Sequence, residues 1–122
     1  MKNIDILKMY NSLSDNTLAE NHRILPTVVL AARLKNIRVL APYVQDWENA
    51  KNELVKYYGT ATEDGNYSVP ANHPEFTEEF DKLNNIEHEE VKDMLRFVKV
   101  DDLPEVMDSH EFELLSVMLD LE

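Results

Sequence analysis

From Leu30 onward, apolar or small side chains recur at Leu34, Ile37, Ala41, Val44, Trp47, Ala50, Leu54 and the pair Tyr57/Tyr58, in steps of three and four throughout. An α-helix turns once every 3.6 residues, so this spacing lines one helical face. A continuous helix from Thr27 to Tyr58 would be about 48 Å long at 1.5 Å per residue. That is longer than a compact domain of 122 residues needs. Any fold must be arranged around this rod, and part of the stripe is expected to stay uncovered. Pro42 lies inside it, lacks an N–H and crowds the preceding turn, which predicts a kink near residues 38–42, with two separate helices as the alternative. Pro26 with Thr27 suits the helix start through a fixed φ and a capping hydroxyl, and Gly59 suits its stop.

Shorter elements flank the rod. Ile4, Leu7, Met9, Tyr10 and Leu13 predict a first helix over residues 3–13, ended by Ser14-Asp15-Asn16. The stretch Leu18 to Ile24 fits no more than a helical turn. Residues 60–74 read as a loop in which Asp64-Gly65 can turn a hairpin between Thr60/Thr62 and Tyr67/Val69. Phe76, Phe80 and Leu83, with Glu78 and Glu79 outward, predict a short acidic helix that stops at Asn84-Asn85. Over residues 86–100, Val91, Leu95 and Val98 fit a helix, whereas the residues from Leu95 to Val100 have the composition of a strand, and β-propensity favours strand for residues 95–100. Asp108 or Ser109 caps a last helix carrying Phe112, Leu115, Val117, Met118, Leu119 and Leu121. The expected fold is a single α+β domain over residues 1–122, mostly α. It has a long central helix, short flanking helices and a small hairpin or strand element near residues 86–100.

Composition supports one ordered core. Hydrophobic residues make up 43% of the chain and there are only two glycines, which argues against wholesale disorder. The absence of cysteine excludes disulfides, thiolate zinc sites and thiol nucleophiles. Met1 to Tyr10 interleaves apolar residues with Lys2, Asp5 and Lys8, unlike a signal peptide, and no window is apolar enough to span a membrane. A cytoplasmic protein is expected.

Charge is divided between the halves. Residues 1–58 hold eight Lys/Arg and six Asp/Glu, and residues 59–122 hold four Lys/Arg and eighteen Asp/Glu. The net charges are plus 2 and minus 14, together the minus 12 of the whole chain. Such a field disfavours phosphate backbones and anionic membranes and favours a basic partner. Glu78, Glu79, Glu87, Glu89, Glu90 and Asp93 are the candidate acidic partner face. Arg33, Lys35 and Arg38, beside Arg23, form the basic cluster, suited to pairing with acidic side chains of the second half or of another copy.

No pattern that performs chemistry accompanies these surfaces. The histidines at 22, 73, 88 and 110 never fall at the i, i+4 spacing of a helical metal site, and solvated or capping roles are expected for them. The carboxylates of residues 87–93 do not converge in either a strand or a helix. Glu63, Asp64 and Asn66 have calcium-ligand chemistry but lack the alternating acids and terminal Glu of an EF-hand. Gly59 and Gly65 alone cannot build a phosphate loop. No cofactor, metal or catalytic residue is expected. Along the rod, Leu30, Leu34, Ile37, Val44, Trp47, Leu54 and Tyr58 are the candidate seam. Its aromatics, with Tyr43 and Tyr57, are better read as core than as interface anchors, while the uncovered remainder implies self-association.

Leu25-Pro26, the run Glu53-Leu54-Val55-Lys56-Tyr57-Tyr58-Gly59, the turn Glu63-Asp64-Gly65-Asn66, the segment Phe76-Thr77-Glu78-Glu79-Phe80 with Leu83, and Asp102-Leu103 together form a layout. It resembles a family of small tailed-phage proteins of unknown function. Pro42 and the added Tyr58 depart from that family's pattern. The resemblance implies a phage or prophage origin, with the protein in the host cytoplasm or in the virion, and carries over no catalytic residue. The function expected is a non-enzymatic one through protein contacts, as a minor virion or assembly component and a homo-oligomer. The alternative is an acidic inhibitor that mimics nucleic acid before a host defence nuclease or effector.

Overall fold

The computed structural model describes residues 1–20 and 25–120. The rod is real and unbroken: α3 runs from Thr27 to Tyr58 through Pro42. Pro42 and Arg38, four residues before it, both sit on the solvent side, so the carbonyl released by the missing N–H can be hydrated. The alternative of two helices is thereby set aside. Pro26 occupies the N-cap position with φ −51°, and no side chain caps this end, so the capping hydroxyl expected of Thr27 plays no such part. Gly59 ends the helix at φ −93°, its N–H donating to Val55 O at 2.8 Å. It is glycine for reasons of space, since a Cβ there would meet Val55 O at 2.4 Å.

Around α3 lie α1 (Asn3–Leu13), α2 (Asn16–Glu20), α4 (Pro74–Asn84), α5 (Val91–Met94) and α6 (Ser109–Leu115). Val100–Asp102 and Ser116–Met118 add single 3-10 turns. The expected turn over residues 18–24 coincides with α2 in its first part, while residues 21–24 and Leu121 lie outside the described residues. The α1 and α4 ranges match their sequence periods, and His73 caps α4 by accepting the Phe76 N–H on Nδ1 at 3.1 Å. Asp108 caps α6 through the His110 N–H at 2.7 Å.

The two-stranded antiparallel sheet pairs β1 (Thr60–Ala61) with β2 (Tyr67–Ser68), in register Thr60 to Ser68 and Ala61 to Tyr67. Gly65, at φ 84°, makes the turn between them. The strand element expected near residues 86–100 is therefore corrected: the sheet lies at residues 60–68. Residues 86–100 instead carry α5 and two isolated bridges, Lys2 to Glu87 and Val98 to Leu119. The backbone at Leu95 and Lys99 is extended, as β-propensity suggests, but its partners are not a neighbouring strand. Asn36, fully buried on α3, gives its Nδ2 to Arg96 O at 2.7 Å and receives the Arg96 N–H on Oδ1 at 2.8 Å. A side-chain amide thus takes the ladder's place, and the segment is pinned to a helix.

The core gathers α1, the first half of α3 and the C-terminal segments. Ile6, Met9, Leu13, Val29, Ala32, Leu40, Val91, Val98, Leu115 and Met118 are all buried within it. At the other end, α4 packs on the second half of α3 through an aromatic row. Trp47 lies 6.0 Å from Phe80, Phe80 stacks on Phe76 at 5.6 Å, and Tyr58 meets Phe76 edge-on at 6.3 Å.

Candidate protein interface

The seam of α3 divides between two sides of the helix. Ile37 and Val44 are half-buried against the core, Trp47 and Tyr58 belong to the aromatic row, and Leu54 is half-buried. Leu30 and Leu34 instead face solvent, 38% and 47% exposed, one turn apart on the same face. The buried line in this half is Val29, Ala32, Arg33, Asn36 and Leu40. It is rotated from the apolar count because two small or polar residues, Ala32 and Asn36, hold inward positions. An apolar strip on the outer face of α3 is left without an intramolecular cover among the described residues.

The basic cluster comes apart. Arg33 is 9% exposed and its Nε donates to Leu13 O at 2.7 Å, closing the C-terminal end of α1. Burial lowers the guanidinium pKa from its ordinary value. Arg33 is therefore a structural tie between α1 and α3, a correction to its place in a surface patch. Lys35 and Arg38 do stand exposed, next to Leu34. Arg23 lies outside the described residues.

Five residues of the acidic face are exposed and Glu79 is half-buried, and they are unequal in their partners. Lys82 reaches Glu79 at 3.1 Å and Glu78 at 3.6 Å, one turn away on α4. The hydrogen bond that Lys82 donates to Glu79 and the charges of both carboxylates raise the Lys82 pKa. Glu87 accepts from the Met1 amino group at 2.8 Å. Glu90 accepts the Tyr43 hydroxyl at 3.0 Å. Its pKa is lowered first by its own backbone N–H and then by Tyr43, while that same bond raises the Tyr43 pKa. Glu89 and Asp93 alone take part in no ion pair or side-chain hydrogen bond among the described residues. The acidic turn is likewise engaged with itself: the Asp64 carboxylate accepts from the Thr62 hydroxyl and from Asn66 Nδ2, which lowers its pKa.

Between α3 and residues 86–94 the structure brings together residues that the sequence left scattered. His88 stacks edge-on against Tyr43 at 4.9 Å, and its Nε2 lies 2.9 Å from Asn3 Oδ1. Asn3 spends its own Nδ2 on Leu83 O at 2.8 Å, so Oδ1 is the acceptor and Nε2 carries the proton. Trp47 Nε1 donates to Asn84 Oδ1 at 2.8 Å. Sequence reasoning missed Asn3, Asn36 and Asn84, since a lone Asn inside an apolar helix reads as a defect until its backbone partner is known. Among the described residues no three His, Asp or Glu side chains converge as a metal site, and no helix is long and apolar enough to cross a membrane.

The geometry defines a mostly helical α+β protein with an uncovered apolar helix face and an acidic flank. No family model, curated protein or solved structure matches this chain.

Proposed function

We propose that this chain is a non-enzymatic protein that works through protein contacts, as a minor virion or assembly component of a tailed phage. The observation that carries the reading is the outer face of α3, where Leu30 and Leu34, one turn apart, stand in solvent beside Lys35 and Arg38. Apolar side chains at helical spacing gain about 25 cal/mol for each Å² that a partner covers. The nearest occupant is a second copy, whose acidic half complements Lys35 and Arg38. The phage assignment rests on the resemblance carried by the Leu25-Pro26 to Asp102-Leu103 layout. Sedimentation velocity of the wild type against a Leu30→Glu/Leu34→Glu variant tests the association, and mass spectrometry of purified particles tests the location. A wild-type protein that stays monomeric at high concentration and is absent from particles sinks this reading.

A second reading is favoured by Glu89 and Asp93, the two members of the acidic face without a partner among the described residues, in a half of net charge minus 14. In that reading the acidic flank occupies the basic nucleic-acid channel of a host defence nuclease or effector. Its signature is binding that falls steeply with salt and weakens in a Glu89→Gln/Asp93→Asn variant. Salt-insensitive binding rejects it.

A further inference from the structure

A groove runs between α3 and residues 86–94, on a different side of the helix from Leu30 and Leu34. It consists of two cavities, of about 230 and 530 Å³, that share Tyr43 and Asp46 in their walls. The first is lined by Trp47, Ala50, Leu83 and Ile86, and the second by Val39, Pro42 and Met94, with Arg38 beside them. Ile86 and Met94 are 46% and 44% exposed, unusual for large apolar side chains unless something covers them.

Asp46 stands with Glu89 and Asp93 rather than with the paired carboxylates of this surface. Glu87 is held by the Met1 amino group and Glu90 by the Tyr43 hydroxyl. The Asp46 carboxylate is exposed and enters no ion pair or side-chain hydrogen bond among the described residues. The groove thus has one apolar end, a second apolar end edged by Arg38, and between them, beside Tyr43 and Trp47, a carboxylate that no ion pair holds among the described residues. Lys51 Nζ already lies over the Trp47 ring, 5.4 Å from its centroid, so a Lys or Arg fits here with its cation on the carboxylate and its stem along Tyr43.

The helix sets the spacing. Val39 and Pro42 precede Trp47 and Ala50 by eight residues each, about 12 Å at 1.5 Å per residue. In an extended chain, residues i and i+4 stand about 13 Å apart on one face, with i+2 between them. We propose that this groove binds an extended segment of a partner protein with the pattern apolar, any, basic, any, apolar. The apolar side chains fill the two cavities and the Lys or Arg sits on Asp46. Arg38 beside the second cavity disfavours a further cation at that end. The assignment rests on the reading that the chain works through protein contacts, but it uses a surface that meets the outer face of α3 only at Arg38.

Trp47 is the chain's single tryptophan and lines the first cavity, so its emission reports occupancy. The probe is the capped heptapeptide Ser-Leu-Ser-Arg-Ser-Leu-Ser. A saturable change in Trp47 emission is expected. Affinity should fall about tenfold when the peptide's Arg is replaced by Gln, and equally in an Asp46→Asn protein. It should fall severalfold in Met94→Ser, which touches only the second cavity; circular dichroism confirms that both variants fold. The Leu30→Glu/Leu34→Glu variant should bind the peptide as the wild type does, so this assignment and the self-association are judged separately. No saturable change at several millimolar peptide overturns the proposal, as does wild-type affinity in Asp46→Asn. Emission that shifts with protein concentration alone places a second copy in the groove and overturns the partner assignment.

Discussion

Asn36 and Arg96, sixty residues apart, are joined by two hydrogen bonds that use both polar atoms of one side-chain amide and both polar groups of one peptide unit. The Asn36 amide is fully buried, so it has no water to fall back on. Replacing Asn36 by Ala strands the Arg96 N–H and C=O beside the core. The expected loss is about 2–4 kcal/mol of unfolding free energy. Urea titration should give that value, and the Arg96 amide should lose its protection from hydrogen exchange.

Arg33 invites a contrast with its neighbours. An Arg33→Met variant keeps the apolar stem but removes the donor to Leu13 O, and a loss of about 1–3 kcal/mol is expected. Lys35→Ala and Arg38→Ala remove exposed charges and should stay within about 0.5 kcal/mol of wild type. Denaturant midpoints of the three variants check the separation of the cluster into one structural and two surface residues.

The two glycines should fail for different reasons. At Gly59 the dihedral suits any residue, but a Cβ would sit 2.4 Å from Val55 O, so Gly59→Ala must shift the end of α3 at a cost of about 1–3 kcal/mol. At Gly65 nothing lies within 4 Å, but φ is +84°, so Gly65→Ala is strained by about 1–2 kcal/mol. Gly65→Asn should recover part of the loss, because Asn tolerates positive φ, whereas Gly59→Asn should recover none. Thermal melts of the four variants decide it.

Tyr43 and Glu90 predict a two-sided pH dependence. Glu90 has a lowered pKa in the folded state, so its contribution is present above the ordinary carboxylate value and is lost as pH falls through the folded one. Tyr43 has a raised pKa, so its contribution is present below the ordinary phenol value and is lost as pH rises through the folded one. Tyr43→Phe should move the Glu90 midpoint upward, read from its side-chain carboxyl resonance. An unmoved midpoint would show that the hydroxyl does not reach Glu90 in solution.

Much of the helical framework was legible because its signals are local. The three- and four-residue steps toward Tyr58, the period of α1, and Asp64-Gly65 between two threonines and Tyr67 each state their structure within a few residues. The phase of α3 was not legible near Leu30 and Leu34, because Arg33 and Asn36 occupy inward positions for partners lying 20 to 82 residues away. Residues 95–100 were read as a strand from a preference for extended backbone, and they are extended at Leu95 and Lys99. What propensity could not supply was the identity of the partner, which is one helix side chain and a single bridge to Leu119. The groove at Asp46 had no signature, since its two walls come from segments 40 residues apart and neither is unusual alone.

The bridge of Val98 to Leu119 and the contact of Lys2 with Glu87 also have a meaning in time. Both join segments remote in the chain, and such closures carry a loop entropy that slows folding. During synthesis α3 and α1 are complete long before residues 98 and 119 have left the ribosome, so Val29, Ala32 and Leu40 must wait, wet, for their cover. A chain stalled near its hundredth residue would be a sticky helical pair, and a chaperone would meet it before any partner does.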